Sequence, residues 1–296
     1  MDKADIAVMR LQTASEMALG HYGQPLMVCI SGGKDSGVLL DLALRANIPI
    51  EVHHNHTTAD APETVYFIRQ QMYELECDGI TAHIDYPVYR GQRTSLWKLM
   101  REEMFPPLRT VRYCCRILKE TAGIGRMIAT GVRWGESVRR AKNRGIYENN
   151  TTNVKSKVVL TSDDNETRRI FEQCNIRGGM VCNPIVDWTD KEIWDYINAK
   201  KLPVNPMYRC GFNRIGCIGC PMANRKRWEH FARYPKYKDL YISAFEDIVC
   251  RRRAAGKDCT GAFRSGQALF DWWMQDKNLD GQLSLENWGK AGNPKP

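Results

Sequence analysis

The stretch Ser31-Gly32-Gly33-Lys34-Asp35-Ser36 narrows what this chain can fold into more than any other. An apolar run over 26–30 precedes it, and helical spacing resumes at Val38, Leu39, Leu42 and Ala43. A strand that turns through glycines into a helix aims several backbone N–H groups, and the positive end of the helix dipole, at one point. That point suits a phosphate. Gly32 and Gly33 let the backbone come close, Lys34 adds a point charge, and Ser31 and Ser36 add hydroxyl donors. Asp35 is suited to holding Mg²⁺ or orienting the lysine. A plain glycine turn is the competing explanation, but the whole string lies in the strand–loop–helix setting that phosphate binding requires. No Gly-x-x-x-x-Gly-Lys-Ser/Thr string occurs, so the loop is not a Walker A loop.

Strand and helix patterns then alternate. The spacing predicts strands over 48–52, 80–84 and 126–132, and a helix that opens at Pro62 and Glu63 and runs to Cys77. It also predicts an amphipathic helix from Ile6 to Gly20 and another over 95–104, stopped by Pro106-Pro107. Such alternation implies an α/β fold with a doubly wound, Rossmann-like parallel sheet, whose ligand lies beyond the carboxyl ends of the strands. The loop at 31–36 and the polar run His53-His54-Asn55-His56-Thr57-Thr58 both fall at such ends, and the histidines read as lining a nucleotide cleft. Residues 141–180 turn polar and read as a mobile insertion over the site. Thr189 is expected to cap a helix with Glu192 as capping-box partner, and 202–208 reads as extended. From Lys226, the residues Trp228, Phe231, Leu240, Tyr241, Phe245 and Ile248 repeat with helical spacing, and a short helix over 267–275 carries Trp272 and Trp273. The expected domains are an α/β nucleotide domain over 1–225 and a helical C-terminal subdomain over 226–296, with a frayed end at 292–296.

At 296 residues, 43% hydrophobic and 26% charged, the chain has enough apolar side chains for a sizeable core. No run reaches the length of a membrane span and no signal-peptide pattern opens the chain, so a cytoplasmic protein without membrane contact is expected. A net charge of +9 fits an anionic partner, nucleotide or nucleic acid. No nucleic-acid motif of fixed spacing accompanies it, and Arg251-Arg252-Arg253 reads equally as a solvated helix end. Eleven cysteines without a secretion signal argue for metal or redox chemistry over disulfides. Cys217-Ile218-Gly219-Cys220 is half a metal site, and Cys114-Cys115 offers the other half, with Cys210 as a substitute ligand. Four such thiolates hold Zn²⁺ or a [4Fe–4S] cluster, and spacing alone does not choose.

Taken together, these strings resemble a known family. The loop is similar to the pyrophosphate-binding loop (PP-loop) of the adenine-nucleotide α-hydrolases, which cleave ATP between its α and β phosphates and adenylate a substrate. Gly131-Val132-Arg133-Trp134-Gly135-Glu136-Ser137 is similar to the family's Gly-x-Arg-x-x-Glu-Ser block, and Pro62-Glu63-Thr64 to its Pro-Glu-Thr turn. Cys114-Cys115 with Lys119, followed by the string from Tyr208 to Cys220, resembles the cluster-binding pattern of the iron–sulfur phosphoadenosine-phosphosulfate (PAPS) reductases. The resemblance spans roughly 25 to 225 by motifs in context. It implies a nucleotide, either ATP or the sulfonucleotides PAPS and adenosine phosphosulfate (APS), bound by Ser31, Gly32, Gly33, Lys34, Asp35, Ser36, Thr57, Thr58, Glu63, Gly131 and Arg133. It further implies Lys34, Asp35 and Arg133 as catalytic, Mg²⁺ as charge partner, and a [4Fe–4S] cluster, in preference to Zn²⁺, on Cys114, Cys115, Cys217 and Cys220. The family's aspartate at the second strand end is replaced here, where His56-Thr57-Thr58 stands.

Within that resemblance two enzyme readings compete. A sulfonucleotide reductase releases sulfite with thioredoxin and carries its nucleophilic cysteine in a Glu-Cys-Gly-x-His string. This sequence has no such string, and Cys259 stands between Asp258 and Thr260 instead. Reductases also tend to have a degraded phosphate loop, whereas Lys34 and Asp35 are present. The expectation is therefore an ATP α-hydrolase close to the phosphorothioation-type ATP pyrophosphatases. It would couple adenylation to sulfur transfer onto a nucleic-acid or small acceptor, with a sulfur-donor protein as a further partner. The third reading is a non-catalytic nucleotide-binding accessory protein of a mobile element or defence system.

Overall fold

The computed structural model describes residues 2–120, 123–151, 153, 156–164 and 178–275. The end expected to fray at 292–296 lies outside them. The chain forms two compact units, one from residues 1–55, 62–85 and 121–215, the other from 56–61, 86–120 and 216–296.

The first unit is an α/β sheet structure, as expected. Its strands are β1 (Leu26–Cys29), β2 (Ile50–Asn55), β3 (Thr81–Asp85), β4 (Met127–Ala129), β5 (Tyr147–Asn149), β6 (Val159–Leu160) and β7 (Met180–Cys182), in the order β3-β2-β1-β4-β7-β5-β6. The first five in that order run parallel, in register through Val28↔Val52, Val52↔Ala82, Val28↔Ala129 and Ala129↔Cys182. Those residues alternate along their strands and face helices α1 (Lys3–Tyr22), α2 (Lys34–Arg45) and α3 (Pro62–Cys77) in one core with Leu11, Leu39, Leu42 and Ile68. Chain order reverses between β1 and β4. That is the switch point at which doubly wound sheets bind their ligands.

Several boundaries differ from expectation for physical reasons. The first helix runs through Gly20 and stops at Gly23, whose left-handed backbone (φ 62°) returns its N–H to the Leu19 carbonyl. The strand expected over 126–132 ends at Ala129, because the Thr130 N–H still bonds the Cys182 carbonyl but Gly131 turns away. Within 141–180, Tyr147–Asn149 and Val159–Leu160 are antiparallel sheet strands, with Glu148 fully buried between the cations of Arg144 and Lys157. Residues 165–177 of that stretch lie outside the described residues. Arg10 on α1 fastens this side of the unit. Buried to 6% exposure, it donates to Asp163, Asp187 and the Pro184 carbonyl.

The second unit is helical, with Leu96–Glu103, Tyr113–Leu118, Lys226–Arg233, Pro235–Ala254 and Gly266–Met274, plus a short hairpin pairing Val88–Tyr89 with Gln92–Arg93. Pro235 opens a new helix where one continuous pattern was read, since its ring fits a first turn but not an interior. Phe231, Tyr241, Phe245, Phe270 and Trp273 form its core, and Tyr241 stacks on Trp273 at 4.9 Å. Trp228 and Leu240, members of the apolar helical pattern, are 55% and 46% exposed. Among the described residues no helix is long and apolar enough to cross a membrane.

Candidate functional site

In the first unit, β1 delivers the chain into the glycine loop and β4 delivers it into Gly131 and Arg133, side by side at the switch point. Gly33 is the N-cap of α2 and has no side-chain cap, so the first-turn N–H dipoles face the loop. Gly32 adopts φ +73°, and a Cβ there would press on Thr64 and Ile68 at 3.2 Å. The Ser36 hydroxyl closes the loop, donating to the Gly33 carbonyl (2.9 Å) and accepting from the Ser31 N–H (3.1 Å). Asn205 braces it from outside, donating to the Gly32 carbonyl and to Thr64 Oγ1.

Two buried cations and two carboxylates meet here. Lys34, 9% exposed, reaches Asp35 Oδ2 at 3.3 Å and Asp190 Oδ1 at 2.9 Å. Arg133, 2% exposed, donates from Nε to Asp35 Oδ1 (2.6 Å) and from Nη2 to Asp190 Oδ1 (2.9 Å). A third donation, to the Trp188 carbonyl, locks its plane. Gly131 is required by packing: a Cβ there would lie 2.9 Å from the Asp35 backbone C and O. The strand end and the helix N-terminus therefore meet backbone to backbone.

Asp190, the first residue of the helix Asp190–Lys200, was not singled out in the sequence, although its setting was legible in the Thr189/Glu192 capping box that the structure contains. Burial acts to raise its carboxyl, but hydrogen bonds and charge from Lys34 and Arg133 outweigh burial and hold it below the usual range. A depressed carboxyl stabilises the fold above its unfolded value, near ~4, and that contribution is lost as pH falls through the folded value. The Asp190 side chain is 64% exposed, so solvent screens much of this. In a series of Tm measurements against pH, Asp190→Asn should flatten the acid fall below about pH 4. An unchanged profile would remove Asp190 from the cage. Tyr208 was also unassigned as a loop contact. Its hydroxyl accepts the Lys34 N–H at 2.9 Å, and burial pushes its pKa up to about 12. The segment read as extended forms the 3-10 turn Pro206–Cys210, which presents that ring.

The remaining residues assigned to the nucleotide divide between the units. Glu63 sits in the first turn of α3, beside an open hollow lined by Tyr66, Phe67, Arg69, Gln70 and Pro206. Thr57 and Thr58 belong to the second unit. The Thr57 hydroxyl donates to Asp60 (2.7 Å), and Thr58, at φ 64°, accepts the Leu96 N–H. Two of the histidines read as cleft-lining lie within β2. His53 Nδ1 pairs with Asp85 at 2.8 Å, and His54 Nδ1 meets the Ile30 carbonyl. The extended β2 carries them into the sheet.

The second unit gathers Cys114, Cys115, Cys217 and Cys220, which interact electrostatically with one another. Cys210 lies in the first unit, and no disulfide joins the described cysteines. The Cys115 thiol is held down, first by a hydrogen bond from Cys114, then by Arg112 and Lys119, against burial. The Cys114 thiol moves up, through that same bond and burial. Burial pushes Cys217 up to about 11, while its thiol donates to Thr57 Oγ1 at 3.3 Å. The Lys119 ammonium is raised, first by Cys217, then by Asp60, Cys115 and Cys220. The Cys217–Cys220 turn is gripped from three sides. Ile218 N–H bonds the Ala59 carbonyl, Tyr241 Oη donates to the Ile218 carbonyl, and Gly219 N–H bonds His230 Nδ1. Burial lowers the His230 pKa, which keeps that nitrogen an acceptor.

The chain is similar to several known proteins. An uncharacterized protein of Methanocaldococcus jannaschii is 27% identical over 67% of this chain and 36% of its own length. The adenosine 5'-phosphosulfate reductase of Pseudomonas aeruginosa is 27% identical over 71% of each chain. The structure of phosphoadenylyl-sulfate reductase from Candida auris, a phosphate complex, is similar with a TM-score of 0.43 at 16% identity, over 70% of this chain and 87% of that one. The chain spans 36% to 47% of the length of the first curated relatives it matches. A family description matches residues 25–223, from the start of β1 past the Cys217–Cys220 turn, and the chain belongs to the phosphoadenosine phosphosulfate reductase domain family.

Proposed function

We propose that this protein is an ATP α-hydrolase that adenylates an oxygen of an acceptor and releases pyrophosphate, with sulfur transfer to that acceptor as the coupled step. The observation that carries the reading is the cage of Lys34 and Arg133 with Asp35 and Asp190 against the α2 N-terminus. A triphosphate with Mg²⁺ is the ligand that uses two cations, two carboxylates and a dipole at one point. The incoming polyphosphate competes for Lys34 with Asp190, the exposed carboxylate, while Asp35 keeps Arg133 oriented. The acceptor oxygen attacks the α-phosphorus, the bond to the bridging oxygen of the β-phosphate breaks, and pyrophosphate leaves with its charge met by Lys34 and the loop N–H groups; Mg²⁺, which Asp35 or Asp190 would hold, would share that charge. An arginine held in one plane by three acceptors suits the α-phosphoryl oxygens, whose charge changes least in position.

The donor set of the second unit fits a metal cluster. Four thiols, one already shifted towards thiolate, stand with Arg112 and Lys119 as counter-charges. Tetrahedral zinc at a Zn–S distance of about 2.3 Å brings its sulfurs within ~4 Å of one another. Zinc and a [4Fe–4S] cluster both take four thiolates, and the resemblance to the iron–sulfur reductases favours the cluster. Cys114, Cys115, Cys217 and Cys220 would hold it, and when bound it supplies sulfur handling or redox poise. Replacing Cys217 by serine in anaerobically purified protein should abolish the visible absorption of that cluster. Full absorption in the variant would exclude Cys217 as a ligand.

The deciding experiment measures pyrophosphate and AMP from ATP, with sulfite from APS or PAPS plus thioredoxin in parallel. Pyrophosphate without sulfite supports the proposal. Sulfite without pyrophosphate overturns it in favour of the reductase, the activity named for the Pseudomonas relative.

A further inference from the structure

Residues 57–60 fold with the second unit and meet its cysteine turn. Ile218 N–H bonds the Ala59 carbonyl at 2.8 Å, and the Tyr237 hydroxyl donates to the Asp60 carbonyl at 2.6 Å. Between these anchors Thr57 and Asp60 are buried, at 3% and 7% exposure. Asp60 Oδ2 accepts from the Thr57 hydroxyl (2.7 Å) and from the Thr57 N–H (3.2 Å). The same hydroxyl oxygen accepts from the Cys217 thiol and from the Ala59 N–H, both at 3.3 Å. Charge couples the group further, since Asp60 acts on both Cys217 and the Lys119 ammonium. Asp60 has no part in the nucleotide cage and is not a cysteine ligand, yet it is a buried carboxylate beside the thiols.

A hydroxyl has one proton to donate. Asp60 takes that of Thr57, so Thr57 presents only its lone pairs to Cys217. The two are complementary while the thiol carries its own proton. A cysteine that ligates a metal is a thiolate and has none to give. Its sulfur then competes with Asp60 for the single Thr57 proton. The carboxylate oxygen is the stronger acceptor, and the Thr57 N–H fixes the same residue towards it.

We propose that Asp60 is a positioning residue for the thiolate centre, which withholds the Thr57 proton from the Cys217 sulfur and keeps a cluster on these cysteines at low reduction potential. The inference rests on the cluster reading given above. Reduction adds an electron to such a centre. A hydrogen bond donated to a ligand sulfur, or a nearby cation, stabilises the reduced form, and a nearby anion opposes it. Asp60 opposes reduction in three ways. It is itself a buried negative charge, it holds the hydroxyl proton, and it draws on the charge of Lys119 that the sulfurs would otherwise have to themselves.

The test is a redox titration of the cluster's visible absorption in anaerobically purified protein, with a one-electron reductant and mediators. Asp60→Asn keeps the shape and removes the charge, and should shift the midpoint to a more positive potential. Asp60→Glu keeps the charge and should stay closer to the unaltered protein. Thr57→Ala alone should leave the midpoint nearly unchanged, because the proton it removes lay on Asp60. In the Asp60→Asn background the same Thr57→Ala should bring the midpoint back down, because there the freed proton has reached the sulfur. That non-additivity is the signature of a shared proton, and a residue that only shapes the turn would not produce it. A midpoint unchanged or more negative in Asp60→Asn would overturn the proposal. So would a Thr57→Ala shift as large in the unaltered protein as in the Asp60→Asn background. If Asp60→Asn does not fold, Thr57→Ala alone still decides, since a lowered midpoint there puts the proton on sulfur and overturns the proposal. Unaltered protein without the absorption overturns the cluster reading and this inference with it, whereas absorption with an unshifted Asp60→Asn midpoint overturns this inference alone.

Discussion

Lys34→Ala should lower pyrophosphate release from ATP by about 10²–10³-fold, the usual cost of removing one preorganised donor from developing charge. Lys34 is almost wholly buried, with its ammonium between Asp35 and Asp190, so no neighbouring lysine substitutes for it. Arg133 remains after the substitution, bound to the same two carboxylates, but its plane is fixed by the Trp188 carbonyl and does not swing into the vacated place. The variant also leaves Asp190 with one cation in place of two. ATP binding should weaken less than turnover, because the charge on pyrophosphate is larger in the transition state than in bound ATP. Single-turnover rates at saturating ATP, compared with Kd for a non-hydrolysable analogue, separate the two effects. Rates equal to those of the unaltered protein would exclude this loop as the site of cleavage. The cysteine unit serves as an internal control, since its absorption should be unchanged.

Gly131→Ala should be nearly as damaging to turnover, by a different route. Its Cβ would fall 2.9 Å from the Asp35 carbonyl carbon and oxygen and 3.1 Å from the Ser36 nitrogen. All three are backbone atoms, so relief means shifting either β4 or the first turn of α2. Overpacking of this kind costs roughly 1–3 kcal/mol. The shift displaces the first-turn N–H groups of α2, and misplacement of a catalytic group by about 1 Å can cost 10²-fold in rate. The expected signature is a fall in Tm of several degrees together with the rate loss. A variant with unchanged Tm and rate would show that β4 and the loop do not pack as described. Gly135→Ala is the comparison, because a Cβ there meets only the far end of Arg133 at 3.8 Å.

These two positions also show how differently residues declare themselves in a sequence. Lys34 is legible because loop, glycines and cation are contiguous, and the physics of a strand–loop–helix turn is local. Gly131 is legible as part of a block that the resemblance assigns to the nucleotide. The approach that the structure shows is to the Asp35 backbone, nearly a hundred residues away in the chain. Asp190 and Tyr208 reach the loop through tertiary contact alone. One is an ordinary acid in a helix first turn, and the other is an ordinary tyrosine near a proline. Nothing periodic marks either as a partner of Lys34.

What the sequence determined by itself was the local grammar: an α/β alternation, the strand–loop–helix turn at 31–36, and the Thr189 cap. Each depends on neighbours within a few residues, or on a hydrophobic period that survives without the rest of the fold. Tertiary structure alone decided which loop residues join which unit. Residues 56–61 and 86–120 interrupt the sheet unit in sequence, yet they fold with the helices and the Cys217–Cys220 turn. It also decided that the polar stretch at 147–160 supplies sheet strands, because a two- or three-residue strand has too little pattern to be seen without the partner that orders it. The same holds for charge. A net +9 is a property of composition, but its confinement to the unit with the thiols comes from chain segments that only long-range packing brings together.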